Sequence, residues 1–319
     1  MKKRILSMAL VLCMVLTLLP MGVLAAEEVG QGDDGGASSD PGAAIPVIDA
    51  HSAPALLTAE SAAVPEGVTA EEIVQFGYYV YANGNPILIE GVPNNDGYCR
   101  VYIDKNGDGA VDGGDTKVSL PGVYYAENID GYWLTGSFVF GGCRDANFTG
   151  DTSVTLLGST VQTVVGGGRL GHVTGNTQVT LKDAIIRNDA FAGGFAGDVS
   201  GKATLSMSGG SCQRIFATQE GSVGESDISV TDRAVVGYLA GGGQLASSYV
   251  GKTKVMGDNA DLNNVFGGGV FGNTGDTSVT IQNGSDVRFL CGGGSGESGT
   301  AAICGNVSVT IGGDVNFYG

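Results

Sequence analysis

The stretch that decides the fold spans residues 166–181 and reads GGGRLGHVTGNTQVTL. Its glycine cluster recurs along the chain at residues 141–142, 193–194, 241–243, 267–269 and 292–294. One expected cluster is replaced by Ala217-Thr218-Gln219. Successive copies are about 25 residues apart, and a fixed period of that length is typical of solenoids and other repeat architectures. The repeat therefore dictates the fold.

Each glycine cluster is followed by a turn glycine and a short alternating run, such as GDTSVTL at residues 150–156. Counted from the turn glycine, the fourth position is apolar: Val154, Val179, Leu205, Ile228, Val255, Val279 and, after an insertion, Val309. The sixth position is apolar in all copies but one: Leu156, Leu181, Met207, Val230, Gly257, Ile281 and Ile311. The fifth position usually carries a hydroxyl group: Thr155, Thr180, Ser206, Ser229, Met256, Thr280 and Thr310. Because alternate side chains of a strand face opposite ways, this pattern predicts inward apolar columns and an outward hydroxyl column.

A second short strand is predicted before each glycine cluster, as at 161–165, 262–266 and 287–291. No period contains an amphipathic segment of helix length. The sequence therefore predicts an all-β fold, a parallel β-helix over residues 138–319 with about seven rungs spaced by about 4.8 Å. Glycine is expected at the corners because tight bends need positive φ and leave no room for a Cβ atom.

The first 25 residues have the pattern of a secretion signal. Lys2, Lys3 and Arg4 precede an apolar run, and small residues end it at 23–25. Pro20 and the polar chain beyond favour cleavage over a membrane anchor. Residues 26–70 have little periodic apolar character and are predicted to be a disordered spacer. Secretion is therefore expected, with membrane contact only through this signal or an anchor outside the chain.

The chain is strongly acidic, with 16 Lys and Arg residues against 33 Asp and Glu. Removing the signal takes away three positive charges and leaves 13 against 33, a net charge of −20. Such a chain is repelled by nucleic acids and by anionic membrane surfaces, so neither is an expected partner.

Residues 71–137 are predicted to form a small β domain that caps the first rung. A hairpin is expected from strands at 76–81 and 86–89 around a turn at 82–85, with a third strand at 99–103. A cap is needed because an open rung exposes unpaired backbone groups.

A calcium loop is predicted at residues 104–115, directly after that third strand. Side chains with oxygen atoms fall at loop positions 1, 3, 5, 9 and 12: Asp104, Asn106, Asp108, Asp112 and Asp115. Gly109 falls at the sixth position, where the loop must turn, the Ala110 carbonyl is the seventh ligand position, and Val111 is the hydrophobic eighth. This spacing predicts one structural Ca²⁺. The alternative is an acidic, glycine-rich surface turn.

Catalytic and nucleotide-binding patterns are weak. Arg144 and Arg169 are expected to stack near Asp145 and His172, and solvated corner residues explain this group better than a catalytic site does. The sequence GKT at 251–253 lacks the glycine that a phosphate-binding loop requires. The glycine clusters lack the following helix of a dinucleotide site. No nucleotide partner and no catalytic residue are therefore assigned.

Five cysteines remain after signal cleavage: Cys99, Cys143, Cys212, Cys291 and Cys304. Export permits disulfides, and the odd number leaves one thiol unpaired. A bridge between Cys291 and Cys304 and burial as small apolar side chains both remain open.

The repeats, signal, spacer and calcium loop together resemble repeat-rich, secreted parallel β-helix (pectin-lyase-like) surface proteins of Gram-positive bacteria. The loop is similar to dockerin-type calcium repeats, although a strand precedes it and only one copy is present. The resemblance covers about residues 76–319 and implies a non-enzymatic stalk or adhesin at the cell surface, with a glycan or a host or partner protein as ligand. The alternative is a carbohydrate-active enzyme, a polysaccharide lyase or hydrolase. Because residues 314–319 lead into a further cluster and then stop, a longer native chain is expected.

Overall fold

The structure is a computed structural model that describes residues 72–76, 78–91, 98–118, 123–124, 128–129, 132–133, 137–296 and 302–318. All of them fall within one compact unit, Ser61–Gly319. The predicted signal and spacer lie outside the described residues. Within the described ranges, no helix is long and apolar enough to cross a membrane.

The described chain is all β, as predicted, and its strands are labelled β1 to β24 in chain order. They are β1 Val74–Phe76, β2 Tyr79–Tyr81, β3 Ile87–Glu90, β4 Tyr98–Ile103, β5 Thr116–Lys117, β6 Val123–Tyr124, β7 Asn128–Ile129, β8 Tyr132–Trp133, β9 Phe138–Phe140, β10 Thr152–Leu157, β11 Thr160–Val161, β12 Thr163–Val165, β13 Thr177–Lys182, β14 Ile185–Phe191, β15 Val199–Ser208, β16 Ser211–Phe216, β17 Ser222–Thr231, β18 Val235–Ala240, β19 Tyr249–Asp258, β20 Asp261–Phe266, β21 Asn273–Gln282, β22 Asp286–Cys291, β23 Val307–Gly312 and β24 Asn316–Phe317.

These strands form two long sheets that the chain visits alternately. The first sheet runs β3-β10-β13-β15-β17-β19-β21-β23 and the second β2-β9-β12-β14-β16-β18-β20-β22-β24, with parallel neighbours throughout. The fold is therefore a parallel β-helix of about six turns with a period of about 25 residues. The count differs slightly from the seven rungs predicted.

The predicted columns are confirmed by the register of the first sheet. Val154 pairs with Val179, Val179 with Leu205, and the same column continues without a shift to Val309. The fourth-position side chains from Val154 to Val279 are fully buried, whereas Val309 in the last strand is 43% exposed. At the sixth position Gly257 leaves a gap, which Leu262 and Ile281 fill from neighbouring strands.

The glycine clusters differ from the expectation in one respect: none of their residues has positive φ. Glycine is required there by close approach between coils. A Cβ atom on Gly141 would overlap the carbonyl oxygen of Gly166, and one on Gly166 would overlap that of Ala192. The prediction that no room remains for a side chain is confirmed at these positions. The prediction of positive φ is wrong for the clusters, although it holds in the first corner, at Asn83 and Gly84.

Positive φ occurs at the opposite corner, between each strand of the first sheet and the next strand of the second. The non-glycine residues there have φ between 50° and 63°: Asp183, Asp232, Arg233, Asn259 and Asn283. Asn and Asp adopt this left-handed conformation more readily than most residues. The two corners therefore select different residues for different reasons.

Buried hydroxyl groups join the two sheets at the glycine corner. In most copies the second residue after the turn glycine carries a hydroxyl group that points inward. This group donates to the backbone carbonyl at the start of the next glycine corner along the chain. Thr152 donates to Gly166 at 2.6 Å, Thr177 to Ala192 at 2.7 Å, and Thr253 to Gly267 at 2.6 Å. Each bond satisfies a carbonyl group inside the solenoid, where water cannot reach it.

The hairpin predicted at 76–89 is wrong. β2 belongs to the second sheet and β3 to the first, so the turn between them is a solenoid corner. β1 pairs antiparallel with β2, and β4 pairs antiparallel with β3, so antiparallel strands cover the first edge of both sheets. The strand predicted at 99–103 is confirmed within β4.

Replacing Thr253 with Val should lower the free energy of unfolding by about 1–3 kcal/mol, because the Gly267 carbonyl would lose its buried donor. Urea titration measures this difference. The matched control is Thr280→Val on the outer face of the neighbouring strand, which should change stability by less than about 0.5 kcal/mol. Equal effects from the two variants would contradict the role given to the inward hydroxyl.

Replacing Gly267 with Ala should destabilise the protein by about 1–3 kcal/mol or more, because the added Cβ atom overlaps the Gly292 carbonyl and lies 2.8 Å from Val279. Thermal and urea unfolding are suitable measurements. Gly293→Ala is the control, since its Cβ atom would meet only the Cys304 sulfur at 3.7 Å. A tolerated Gly267→Ala would show that coil spacing does not explain the clusters.

Candidate functional site

The outward face of the second sheet carries a ladder of buried apolar side chains, here called the outer cluster, which packs separately from the main core. Its members are Tyr81, Phe140, Val165, Phe191, Phe216, Ala240 and Phe266. Val165 and Ala240 have no ring to stack on their neighbours, and aromatic rings from nearby positions pack against the cluster instead. The Phe195 ring lies 5.7 Å from that of Phe191, and the Tyr238 ring lies 5.0 Å from that of Phe266.

Aromatic rings also reach solvent at both ends of this surface. Tyr79, 36% exposed, stacks on Phe138 at 5.0 Å, and Phe289, 49% exposed, lies 5.4 Å from Phe266. The Arg169 guanidinium lies 5.7 Å above the Tyr79 ring, a cation–π contact. This aromatic face was not predicted from the sequence, although the aromatic residues directly before several glycine clusters could have indicated it.

A polar network interrupts the aromatic surface at its centre. The Arg214 guanidinium binds both oxygens of Asp189, at 2.6 and 2.8 Å, and donates to the Asn188 amide oxygen at 3.0 Å. Asn188 in turn donates to Asp189 at 2.8 Å. Burial raises the pKa of the Asp189 carboxyl, and the Arg214 contact opposes that rise. The network is therefore an ordered, internally satisfied ion pair.

A surface pocket of about 520 Å³ lies beside this network. Gln162, Arg187, Asn188, Ser211 and Gln213 supply its polar wall, and Ile186, Cys212 and Val235 its apolar wall. The pocket lies where the register between β14 and β16 shifts, between Ile186 and Asp189. Such a bulge turns side chains away from regular alternation and is common beside functional sites.

The predicted calcium loop folds as a compact series of turns. Asp104 is buried, and its carboxylate accepts the N–H groups of Gly107 at 2.7 Å and Gly109 at 3.1 Å. The Asn106 amide donates to Asp108 at 3.0 Å and to Asp112 at 3.3 Å, so these side chains are brought together.

The remaining predicted ligands lie at the far side of the same loop. Asp115 accepts the Asp112 N–H group at 2.9 Å, and its other carboxylate oxygen is buried without a hydrogen-bond partner. The Ala110 N–H group donates to Asp108 at 2.8 Å. Across the described ranges, no three acidic, His or Cys side chains are grouped closely enough to hold a metal ion.

The loop also contacts a strand of the first sheet. Lys182, at the end of β13, donates to the Gly109 carbonyl at 3.4 Å. The loop therefore lies against the outer side of the first sheet.

The corner residues considered for catalysis do not form one group. Arg144 pairs with Asp145 at 3.2 Å, His172 lies 3.2 Å from Asp198, and both pairs are about half exposed. Ion pairs as exposed as these contribute little to stability. Their arrangement agrees with the interpretation as solvated corner residues.

All five described cysteines are free thiols, so the bridge considered between Cys291 and Cys304 is not formed. Cys212 is buried beside the pocket, and burial raises the pKa of its thiol well above the usual range. It is therefore a neutral, apolar part of the wall.

No family model matches this chain, and no curated protein and no solved structure is significantly similar to it.

Proposed function

We propose that this protein is a secreted or cell-surface, non-enzymatic β-helix stalk or adhesin that binds a glycan or a partner protein through the outside of its second sheet. The observation that carries the proposal is the combination on that face of stacked, partly exposed aromatic rings with an ordered polar network and a pocket. Rigid aromatic and polar groups of this kind are typical of binding surfaces.

The uniform core supports a passive, elongated scaffold. Equivalent side chains stack in one continuous column from Val154 to Val279, and each strand of the first sheet pairs with the strands of the coils before and after it. Repeat proteins built in this way present extended surfaces for binding.

The alternative, a carbohydrate-active enzyme, needs a carboxylate that can exchange a proton with substrate. Asp189 adjoins the pocket residue Asn188, and Arg214 and Asn188 occupy both of its oxygens. This arrangement favours binding over hydrolysis or elimination.

Export rests on the signal pattern of residues 1–25, and the Gram-positive cell surface rests on the resemblance alone. Both belong to the proposal. A fusion of residues 1–25 to a reporter, compared with a reporter lacking them, tests export directly.

Structural calcium at the loop 104–115 is also part of the proposal. The ligand spacing supports it, and so does the buried Asp115 oxygen that has no protein partner. The bound ion would neutralise several carboxylates and fix the loop against the first sheet.

Adding about 5 mM Ca²⁺ should raise the melting temperature of the full chain, because the ion would bind only the folded protein. This concentration exceeds the dissociation constant of about 0.1–1 mM that is typical of extracellular calcium modules. Asp108→Ala should abolish the shift and the calorimetric heat of binding. Asp145→Ala, which removes an acidic residue outside the loop, should retain both. The absence of any shift in the unaltered chain would refute the site.

Binding of the full chain to arrays of glycans and extracellular proteins, with a parallel polysaccharide-cleavage screen, tests the main proposal. We expect retention on at least one array without cleavage. Asp189→Asn and Asp227→Asn are the matched variants, the second lying on the first sheet. Cleavage that is lost only with Asp189→Asn would establish the enzyme instead.

A further inference from the structure

The pocket on the second sheet has a more specific chemistry than the rest of that face. Its polar wall comes from three successive levels of the solenoid, with Gln162 and Gln213 on either side of the bulged residues Arg187 and Asn188 of β14. The Asn188 N–H group donates to the Gln162 carbonyl at 2.9 Å, which holds these levels together. Since neighbouring strands are about 4.8 Å apart, the wall is about 10 Å long.

Three polar side chains of this wall are available to a ligand. Among the described residues, Gln162, Ser211 and Gln213 make no side-chain hydrogen bond, in contrast to Asn188, Asp189 and Arg214, whose side chains are hydrogen-bonded to one another. Gln162 is half-buried, so its amide group is already partly removed from water. Desolvated amides without partners gain most from a ligand that supplies hydrogen bonds.

The available groups match a hydroxyl-rich, uncharged ligand. An amide side chain offers both donors and an acceptor, and a hydroxyl group offers both on one atom. Adjacent hydroxyl groups of a sugar ring present the same combination. Val235, 47% exposed, adds an apolar contact for the carbon face of a ring.

We propose that this pocket binds a neutral oligosaccharide that runs along the solenoid axis, with three consecutive sugar units at the levels of Gln162, Asn188 and Gln213. The spacing between levels is close to the length of one pyranose unit, so equivalent groups on successive coils meet equivalent groups on the glycan. This assignment rests on the proposed function and deepens it, because it names the ligand class and the place where it binds.

Isothermal titration of the full chain with cellotetraose, xylotetraose, mannotetraose and chitotetraose tests the proposal, with trigalacturonate as the charged comparison. We expect at least one neutral tetrasaccharide to bind. The double variant Gln162→Ala/Gln213→Ala should weaken that binding about tenfold or more, since two pairs of hydrogen bonds are lost. Gln178→Ala should leave the binding unchanged. Gln178 is exposed on β13, the strand of the first sheet that directly precedes β14 in the same coil.

Other outcomes overturn the assignment without ambiguity. Binding that survives the double variant puts the glycan elsewhere and leaves the proposed function intact. Failure of all four neutral probes at millimolar concentration, or preference for trigalacturonate, refutes the ligand class, while the array measurement decides the proposed function separately. If the double variant does not fold, Gln213→Ala alone provides the comparison, because that side chain is exposed.

Discussion

The whole structure depends on one constraint: each coil must lie within hydrogen-bonding distance of the next, about 4.8 Å away, along its full length. At the glycine corner this leaves no space for a Cβ atom on Gly141, Gly166, Gly241 or Gly267. The column there reads Gly141, Gly166, Ala192, Ala217, Gly241, Gly267 and Gly292. The two alanines show that small size is what this corner requires, since no residue of the column has positive φ.

The same constraint separates the parts of the repeat that must be uniform from those that are free to vary. Inward positions meet their own counterparts above and below, so apolar residues recur there. Outward positions on the second sheet are more varied: buried aromatic rings, an Asp189–Arg214 pair and amide side chains follow one another along it. Specific chemistry is therefore carried outside the sheets on a regular support.

The loop 104–115 belongs to the same arrangement. It lies in the chain between β3 and β9; because β3 pairs directly with β10 and β2 with β9, the insertion of residues 91–137 leaves the stacking intact. Lys182 contacts the loop from β13, two strands along the first sheet from β3. A long insertion between rungs is tolerated because loop closure becomes only slowly more costly with length.

The period, the strand faces and the columns could be predicted from the sequence, because those properties repeat within each copy and alternate locally. The spacing of oxygen-bearing side chains in the loop 104–115, on which the proposed calcium site rests, was also visible there. The folded chain was needed to show that β2 and β3 lie in different sheets, that the glycine corner needs close approach, and that Gln162, Asn188 and Gln213 share a pocket. These residues are one period apart, and a polar residue at an outward position looks the same in sequence whether it faces open solvent or a neighbour on the next coil.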